Sequence, residues 1–386
     1  MSNVKVVIGA NFGDEGKGLM TDYFCSEAIK RNESCIVVLS NGGAQRGHTV
    51  VTPDGIRHVF HHFGSGTLVG AATYLSEKYI LNPMTFRKEY KELEAMGFSP
   101  KVYAHSLCMW STPYDMIYNQ ILEDSRGERR HGSCGMGIWE TIRRYEVAPM
   151  YQLKSFNNSY RSIHEQVVLL EEIRDDYFKK RLEEIDFCVW YKWVDILSSH
   201  KLILNFIEDI KFMCDHVTWV TDNDILKTYQ NVIFENGQGL LLDQNQTKYG
   251  NNTTPSNTGI KNPHEIISRT LLDADVEVCY VTRTYLTRHG AGRFDEECDK
   301  SEINTLMEDK TNVPNKYQGS MRYGRLDTNS LLERIKADMN TVSGANYHMS
   351  LAITHINECD NEELLTQTKT EKTYYSYDET RNVGCK

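Results

Sequence analysis

Short apolar, β-branched segments alternate along this chain with longer segments that mix apolar and polar positions. Val4–Ala10 and Cys35–Ser40 are two of the short segments, and a stretch of helical length, Leu19–Arg31, separates them. Strand, helix and strand at this spacing predict a βαβ unit with a parallel sheet. The same pattern predicts further strands at Val232–Glu235, Val276–Thr282 and Leu351–Ile356. We therefore expect an α/β fold with a large, mostly parallel central sheet, helices on both faces and helical insertions.

The pattern changes between about residues 160 and 230. The segment "HEQVVLLEEIRDDYFKKRLEEIDF", residues 164–187, is highly charged and spaces its apolar positions as a helix does. It predicts a helical insertion over about 160–230. No repeat or low-complexity linker interrupts the rest, so we expect residues 1–386 to form a single domain.

Composition narrows the class of protein. The chain has 386 residues, of which 40% are apolar and 25% charged, with a formal net charge of −10. This balance argues against an extended nucleic-acid surface but allows a basic pocket for small anions. The ten cysteines form no CxxC pair, no apolar run reaches the ~20 residues of a membrane span, and the first residues resemble no leader. We expect no membrane partner and a cytoplasmic location, which is the host cytoplasm if the protein is viral.

A glycine-rich turn follows the first predicted strand and reads "NFGDEGKGLMTD", residues 11–22. Gly13, Gly16 and Gly18 let backbone N–H groups approach a phosphate, and the following helix offers its positive end. Lys17 adds a point charge. The usual phosphate loop has Ser or Thr after its lysine, whereas Gly18 stands here, and this weakens the alternative of a generic P-loop kinase or NTPase.

Asp14 is unexpected beside a phosphate. Three roles fit a carboxylate at this position: a ligand of Mg²⁺, a general base, or the N-cap of the helix. For the neighbouring Glu15 the pattern favours a role at the helix start.

Polar turns follow the other strands, and ligands bind beyond the carboxyl ends of strands in open α/β sheets. "NGGAQRGHT", residues 41–49, ends in His48, which either donates to an oxyanion or bonds to backbone. "ENGQGLLLD", residues 235–243, places Gln238 between glycines, where its amide either holds an oxyanion or faces solvent. "TTPSNTG", residues 253–259, offers hydroxyls to a phosphate or ribose, or is an ordinary polar loop.

Taken together and in order, these turns resemble the adenylosuccinate synthetase family. The motifs are "GDEGKG", "GGAQRGHT", "GQGLLLD", "SNT" and "TRHGAGRF" (287–294), spread over most of residues 4–327. The resemblance implies an enzyme that uses nucleoside triphosphate cleavage to join L-aspartate to C6 of a purine monophosphate. In that family the loop Asp, here Asp14, takes the N1 proton and sits at Mg²⁺. His48 then matches the histidine that assists phosphoryl transfer, and Gln238 matches the glutamine that stabilises the 6-oxyanion.

The resemblance also implies binding residues. Those for phosphate and the donor nucleotide are Gly13, Glu15, Gly16, Lys17, Gly18, Thr49 and Asn357. Those for the purine monophosphate are Asn41, Ser133, Cys134, Arg144, Thr254 and His289, with Arg143 or Arg144 near the arginine that family dimers insert into the partner's site. Those for aspartate are Gly319, Ser320, Arg322 and Arg325, and those for the metal are Asp14 and the Gly47 carbonyl. A homodimer is implied as well.

Two departures from the family leave the substrates open. The arginine-rich aspartate loop is reduced to "QGSMRYGRLD", residues 318–327, although a dicarboxylate needs paired cations. The guanine-reading Asp of "TK-x-D" is Asn357 in "THIN", and an amide suits adenine as well as guanine. GTP, ATP and dATP are therefore all candidate donors.

The sequence also leaves the purine substrate open between IMP and (d)GMP. The short, divergent chain resembles the viral branch, in which related enzymes act on dGMP, whereas retention of Asp14 favours IMP over (d)GMP because the guanine 2-amino group would crowd it. A catalytically weak nucleotide-binding paralogue is the remaining alternative.

Overall fold

A ten-stranded sheet forms the centre of the molecule. The computed structural model describes residues 2–153, 162–250, 252–305, 314, 316–342, 346–359, 361–367 and 370–386. Its strands are β1 Asn3–Gly9, β2 Cys35–Leu39, β3 His48–Val51, β4 Arg57–Phe60, β5 Ala72–Leu75, β6 Ile80–Leu81, β7 Val102–His105, β8 Met109–Trp110, β9 Val217–Val220, β10 Asn231–Gly239, β11 Asp275–Arg283, β12 Leu286–Arg288, β13 Glu297–Cys298, β14 Arg322–Gly324, β15 Asn346–Thr354, β16 Lys372–Ser376 and β17 Val383–Cys385.

The helices surround this sheet. They are α1 Lys17–Lys30, α2 Pro83–Ala95, α3 Pro113–Arg126, α4 Ile138–Val147, α5 Ile163–Glu172, α6 Lys179–Leu182, α7 Phe187–Trp190, α8 Val194–Leu197, α9 His200–His216, α10 Asp222–Ile225, α11 Lys261–Thr270, α12 Lys300–Ile303, α13 Thr328–Met339 and α14 Glu362–Gln367.

The strand order is β17–β16–β15–β11–β1–β10–β2–β5–β7–β9, and every neighbouring pair is parallel except β16 and β17. The predicted large, mostly parallel sheet is confirmed. The first βαβ unit differs in one respect, because β10 lies between β1 and β2 and pairs with both. The local strand–helix–strand pattern predicts that β1 and β2 are parallel. It does not show which distant strand lies between them.

Side chains alternate between two cores, one on each face of the sheet. Val37 and Leu39 of β2 pack in one core with α1 residues such as Phe24, whereas Ile36 and Val38 face the other core. That second core contains α11 and α13, which contribute residues such as Ile267 and Leu331. Helices therefore cover both faces, as predicted, and the central strands are buried throughout.

Residues 163–216 form helices α5–α9, which pack beside α2 and α3. Strand β9, Val217–Val220, then interrupts the predicted helical segment and joins the sheet edge beside β7, before the short helix α10. Residues 154–161, where the insertion was predicted to begin, lie outside the described residues.

Two further sequence features can be compared with the structure. All ten cysteines are free thiols. No helix within the described ranges combines the length and the apolar character needed to cross a membrane.

Candidate active site

The turns that follow β1, β2, β10, β11 and β15 meet at the carboxyl edge of the sheet. They line one cavity of about 1440 Å³. Parallel strands bring their carboxyl ends to the same edge, so residues far apart in sequence converge there. Of the residues predicted from sequence, this cavity is lined by Gly13, Asp14, Gly16, Lys17, Gly18, Gly47, His48, Thr49, Ser133, Cys134, Gln238, Thr254, His289 and Asn357.

The buried side chain of Glu15 does not line the cavity but forms hydrogen bonds within the turn after β1. Its side chain is 1% exposed and accepts hydrogen bonds from the backbone N–H groups of Asn11 (3.0 Å) and Gly13 (2.8 Å). It also pairs with Lys17 at 2.6 Å. The prediction that Glu15 binds nucleotide is therefore wrong for its side chain, because every contact it makes is inside the loop.

Helix α1 begins at Lys17, and its N-cap is Gly16 with φ 97° and no side-chain cap. Asp14 does not cap the helix, so the N-cap alternative for Asp14 is wrong. Glu15 is at the helix start, where it pairs with Lys17, the first residue of the helix. The first turn of α1 keeps its N–H groups available to an anion at the cavity wall.

Neighbouring strands hold the first turn in place. Arg283, at the end of β11, donates to the Asp14 carbonyl oxygen. Thr354, at the end of β15, donates to the Glu15 carbonyl at 2.7 Å. A Cβ at Gly9 would lie 2.4 Å from Oε2 of Glu15, so only glycine allows this close approach.

Asp14 faces the cavity from a strained backbone position. Its φ is 60°, and its side chain is 23% exposed and pairs with Nε2 of His289 at 2.9 Å. Burial raises the pKa of this carboxyl, but the hydrogen bond from His289 and the charges of Arg283 and Lys17 outweigh it and bring the pKa to about 2. Asp14 is therefore ionised at neutral pH.

Backbone strain is concentrated at this cavity. Four non-glycine residues of the described part of the chain have positive φ, and Asp14, Gln238 (65°) and His355 (57°) all line the cavity. Such strain is maintained only where surrounding structure enforces it and is common at functional sites. The three strained residues belong to different parts of the sheet edge: Asp14 follows β1, Gln238 is near the end of β10 and His355 follows β15.

His48 is held by a buried carboxylate that the sequence analysis missed. Nδ1 of His48 lies 2.6 Å from Oε1 of Glu235, and Arg46 pairs with the same carboxylate at 2.9 Å. Ser65 donates its backbone N–H to Glu235 at 3.0 Å. Burial and the charge of Arg46 lower the pKa of His48 to about 4, despite the opposing effect of Glu235. Burial raises the pKa of Glu235, but Arg46 and His48 hold it well below its usual range.

The signal for Glu235 was present in the sequence. It is a charged residue inside the apolar segment of β10, and buried charges need partners. What the sequence does not show is that its partners come from the turn after β2.

Asn41 supports the turn of Gln238 rather than the cavity. Its amide oxygen accepts the Gly237 N–H at 2.8 Å, and its Nδ2 donates to the Gly237 carbonyl at 3.0 Å. Asn41 is 1% exposed and is not on the cavity wall. The structure therefore does not bring the Asn41 side chain to the cavity wall, and its contact with purine monophosphate stays a prediction. Gln45, four residues later, lines the cavity instead, with neither amide atom hydrogen-bonded within the described residues.

Arg144 is the clearest correction. It is fully buried, pairs with Asp115 at 2.7 Å and donates to the Trp110 and Tyr151 carbonyls. It cannot bind a phosphate or reach another subunit without leaving the core. Its neighbour Arg143 is exposed on α4. Sequence could not separate the two, because adjacent helical residues differ in burial only once the packed face is known.

The four residues predicted to bind aspartate do not line the cavity. Arg322 pairs with Glu297 at 2.5 Å, and Arg325 pairs with Glu302. Gly319 and Ser320 are exposed and outside the cavity wall, which Gln318 and Tyr323 of the same loop reach instead. Both arginines are thus already paired with carboxylates, and their role in aspartate binding stays a prediction.

The remaining predicted residues form two ends of the cavity. Ser133 exchanges hydrogen bonds with Asn119 and stands beside the exposed Cys134, and Thr254 lies on the same wall. Asn357 is exposed at the end of β15. The cavity can thus hold a ligand with phosphates at the glycine-rich turn and polar groups at either end.

Comparison with known proteins agrees with this geometry. A family model described as adenylosuccinate synthetase matches residues 6–363. Adenylosuccinate synthetase of Synechococcus sp. (strain RCC307) is 29% identical over 314 residues, which are 78% of this chain and 65% of that relative. The Mesoplasma florum enzyme is 28% identical over 303 residues, 76% of this chain and 65% of that relative. The chain therefore spans about 65% of the length of these curated relatives.

Solved structures share the fold. A fully ligated adenylosuccinate synthetase from Plasmodium falciparum aligns with a TM-score of 0.69 at 19% identity, covering 92% of this chain and 77% of that one. The succinoaminodeoxyadenylate synthetase of cyanophage S-2L, bound to dGMP and to dATP as an energy donor, aligns with a TM-score of 0.64 at 14% identity, covering 100% of this chain and 95% of that one. Because the family model matches nearly the whole length of this chain, the chain belongs to the adenylosuccinate synthetase family.

Proposed function

We propose that this protein is a carbon–nitrogen ligase that joins L-aspartate to C6 of a 6-oxopurine monophosphate, IMP or (d)GMP. Cleavage of a nucleoside triphosphate, GTP or (d)ATP, drives the reaction, and the product is adenylosuccinate or its 2-amino form. The observation that supports this most directly is the meeting in one cavity of Asp14 from the turn after β1, His48 at the start of β3 and Gln238 near the end of β10.

The first step makes the 6-oxygen a nucleophile. Asp14 is ionised, so its carboxylate takes the N1 proton, and negative charge moves to the 6-oxygen beside the Gln238 amide. The bond from this oxygen to the γ-phosphorus forms while the bond to the departing nucleoside diphosphate breaks. Lys17, His48 and the N-terminus of α1 face the phosphates during this transfer.

The second step uses the phosphate as a leaving group. The amine of aspartate adds to C6, loses a proton, and the C6–O bond breaks with release of inorganic phosphate. An unmodified 6-oxygen is a poor leaving group, which explains why the phosphoryl step comes first.

Mg²⁺ is the proposed cofactor, and the donor set fits it. Within the described residues no cluster of three His, Cys, Asp or Glu side chains forms a metal cage. Mg²⁺ needs only one or two carboxylates plus substrate phosphates and waters. Asp14 supplies an ionised carboxylate on the cavity wall, and the exposed Gly47 is proposed to add its carbonyl. When bound, the ion would neutralise charge on the transferred phosphoryl group.

Two observations bear on the purine and the donor. Asp14 favours IMP, because the guanine 2-amino group would crowd its carboxylate. The cyanophage enzyme, bound to dGMP and dATP, matches this chain in length, and Asn357 suits adenine. These last two points support (d)GMP with an adenine donor and a place in the viral branch, so the purine stays open between IMP and (d)GMP.

The acceptor contacts and the assembly are also proposals. With Arg322 and Arg325 paired to glutamates, we propose that aspartate binds to other groups of the cavity wall or releases these pairs on binding. A homodimer is supported by exposed apolar residues around the exposed Arg143 on α4, namely Trp139, Val147 and Met150. We propose a cytoplasmic enzyme without nucleic-acid or membrane partners.

One experiment tests the reaction. The protein is incubated with Mg²⁺, aspartate and each pairing of IMP, GMP or dGMP with GTP, ATP or dATP, and mass spectrometry is used to find the succinyl adduct. The adduct and phosphate should appear with at least one pairing and only when monophosphate and aspartate are both present. Absence of the adduct with every pairing would favour a nucleotide-binding paralogue, and phosphate release without monophosphate would favour a generic P-loop NTPase.

A further inference from the structure

Arg46 is a buried arginine at the cavity that no sequence motif singled out. It lies in the turn after β2, is 1% exposed and belongs to the cavity wall. One nitrogen of its guanidinium is occupied, because Nη2 lies 2.8 Å from Nδ1 of His48 and 2.9 Å from Oε2 of Glu235. Arg46 is therefore in direct contact with the His48–Glu235 pair.

The two other nitrogens of the guanidinium have no partner. Nε and Nη1, which carry three N–H groups, meet no acceptor within the described residues. Leaving charged donors buried and unsatisfied is costly, and such groups are expected to have an acceptor in the working state. The acceptor is expected to be an anion, because the guanidinium is positively charged and its hydrogen bonds are strongest to an ionised acceptor such as a phosphate oxygen.

The position of Arg46 connects two parts of the proposed site. A Cβ placed on Gly237 would lie 3.6 Å from Cβ of Arg46, so Arg46 packs against the residue that precedes Gln238. Arg46 also contacts His48 through Nη2. It is therefore adjacent to a group proposed to act on the phosphoryl group and to the turn that carries Gln238, which is proposed to act on the 6-oxygen.

We propose that Nε and Nη1 of Arg46 donate hydrogen bonds to oxygens of the phosphoryl group as it passes from the triphosphate to the purine 6-oxygen, which makes Arg46 a further catalytic residue. This inference rests on the proposed function. The bond to the 6-oxygen forms and the bond to the nucleoside diphosphate breaks, while Arg46 forms no bond and transfers no proton. Its positive charge stabilises the negative charge that develops on the phosphoryl oxygens, and this adds to the stabilisation by Lys17 and His48.

Three variants test the role of the charge. Arg46→Met removes the charge at similar length, Arg46→Lys keeps a point charge but loses the planar fork, and Arg46→Ala leaves room for added guanidinium ion. The measurement is single-turnover formation of nucleoside diphosphate with a saturating pairing that supports wild-type turnover. We expect Arg46→Met to slow this step by ~10²-fold or more and Arg46→Lys by ~10-fold, with little change in KM. Guanidinium at millimolar concentration should accelerate Arg46→Ala and not the wild type.

Arg31→Met is the matched control, since Arg31 is an exposed arginine paired with Glu33 at the far end of α1. It removes the same charge and should leave the rate unchanged. A rate for Arg46→Met within about threefold of wild type, or no rescue of Arg46→Ala by guanidinium, would overturn the proposed role of Arg46. Neither result would contradict the proposed function. If Arg46→Met does not fold, Arg46→Lys decides, and an unchanged transfer rate in that variant overturns the proposal. A wild type that forms no adduct with any pairing overturns this proposal together with the proposed function.

Discussion

Single residues in the cavity have lower pKa values than their free counterparts. Asp14 has a pKa of about 2, and His48 has a pKa of about 4. At neutral pH the carboxylate is therefore ready to accept a proton, and the imidazole is neutral until an anion arrives beside it. A bound triphosphate would raise the pKa of His48, because negative charge favours the imidazolium.

Asp14→Asn tests the proposed base. The amide keeps the size of the side chain and can still contact His289, but it cannot accept the N1 proton. Turnover should fall by more than ~10²-fold, while the thermal midpoint should change little. Steady-state assays with the active nucleotide pairing and a thermal melt measure the two effects, and activity within about threefold of wild type would exclude Asp14 as the base.

Asn357→Asp tests recognition of the donor base. A carboxylate accepts the N–H donors of guanine, whereas an amide also suits adenine. The ratio of kcat/KM for GTP to that for ATP should rise by ~10-fold, as competition assays would measure. Asn340→Asp, at the exposed end of α13, adds the same charge away from the cavity and serves as the control. An unaltered ratio in Asn357→Asp would remove this residue from base recognition.

Among the elements, α13 illustrates how a buried carboxyl joins parts of the fold. Asp338, in the last turn of α13, accepts hydrogen bonds from Tyr280 of β11 at 2.7 Å and from the Ile260 N–H at 3.1 Å. Burial raises the pKa of Asp338 to about 6, and these hydrogen bonds offset only part of that effect. The folded state thus binds this proton more tightly than the unfolded chain does.

The direction of the pH dependence follows from that difference. The contribution of Asp338 to the free energy of unfolding is fully present below about pH 4 and is lost as pH rises through about 6. Asp338→Asn should remove this loss, so that its free energy of unfolding falls less than that of wild type between pH 4 and pH 7. We expect a difference of about 1–3 kcal/mol, measured by urea unfolding at both pH values.

Asp327→Asn is the control at the other end of the same helix. Asp327 accepts the Ser330 N–H at 2.7 Å, and this hydrogen bond lowers the pKa of Asp327. Its contribution therefore has the opposite sign and is lost as pH falls. If Asp338→Asn and wild type show the same pH dependence, Asp338 does not carry the raised pKa.

At the scale of the whole molecule, the chain aligns over nearly the full length of the cyanophage enzyme and over about 65% of its curated relatives. The ten-stranded sheet carries at its carboxyl edge the turns that line the cavity.

Mixing two inactive variants tests the proposed homodimer. Asp14→Asn removes the base, and Arg143→Ala removes the arginine proposed to enter the partner's site. In a 1:1 mixture after subunit exchange, about a quarter of the sites would carry both Asp14 and Arg143, so about a quarter of wild-type activity should return. Sedimentation velocity checks the dimer. Activity of the mixture no greater than the sum of the separate variants would contradict a shared site.

By itself, the sequence determined the parallel α/β fold, the polar turns at the strand ends and the family, because these depend on local periodicity and short motifs. Only the tertiary structure decided that β10 separates β1 from β2, that Glu235 holds His48 across 187 positions of sequence, and that Arg144 is buried while Arg143 is exposed. It also decided that Glu15 and Asn41 support the turns from behind while Gln45 and Arg46 reach the cavity. Contacts between distant residues, and the burial of each residue, depend on which surfaces the whole chain brings together. No local pattern contains that information.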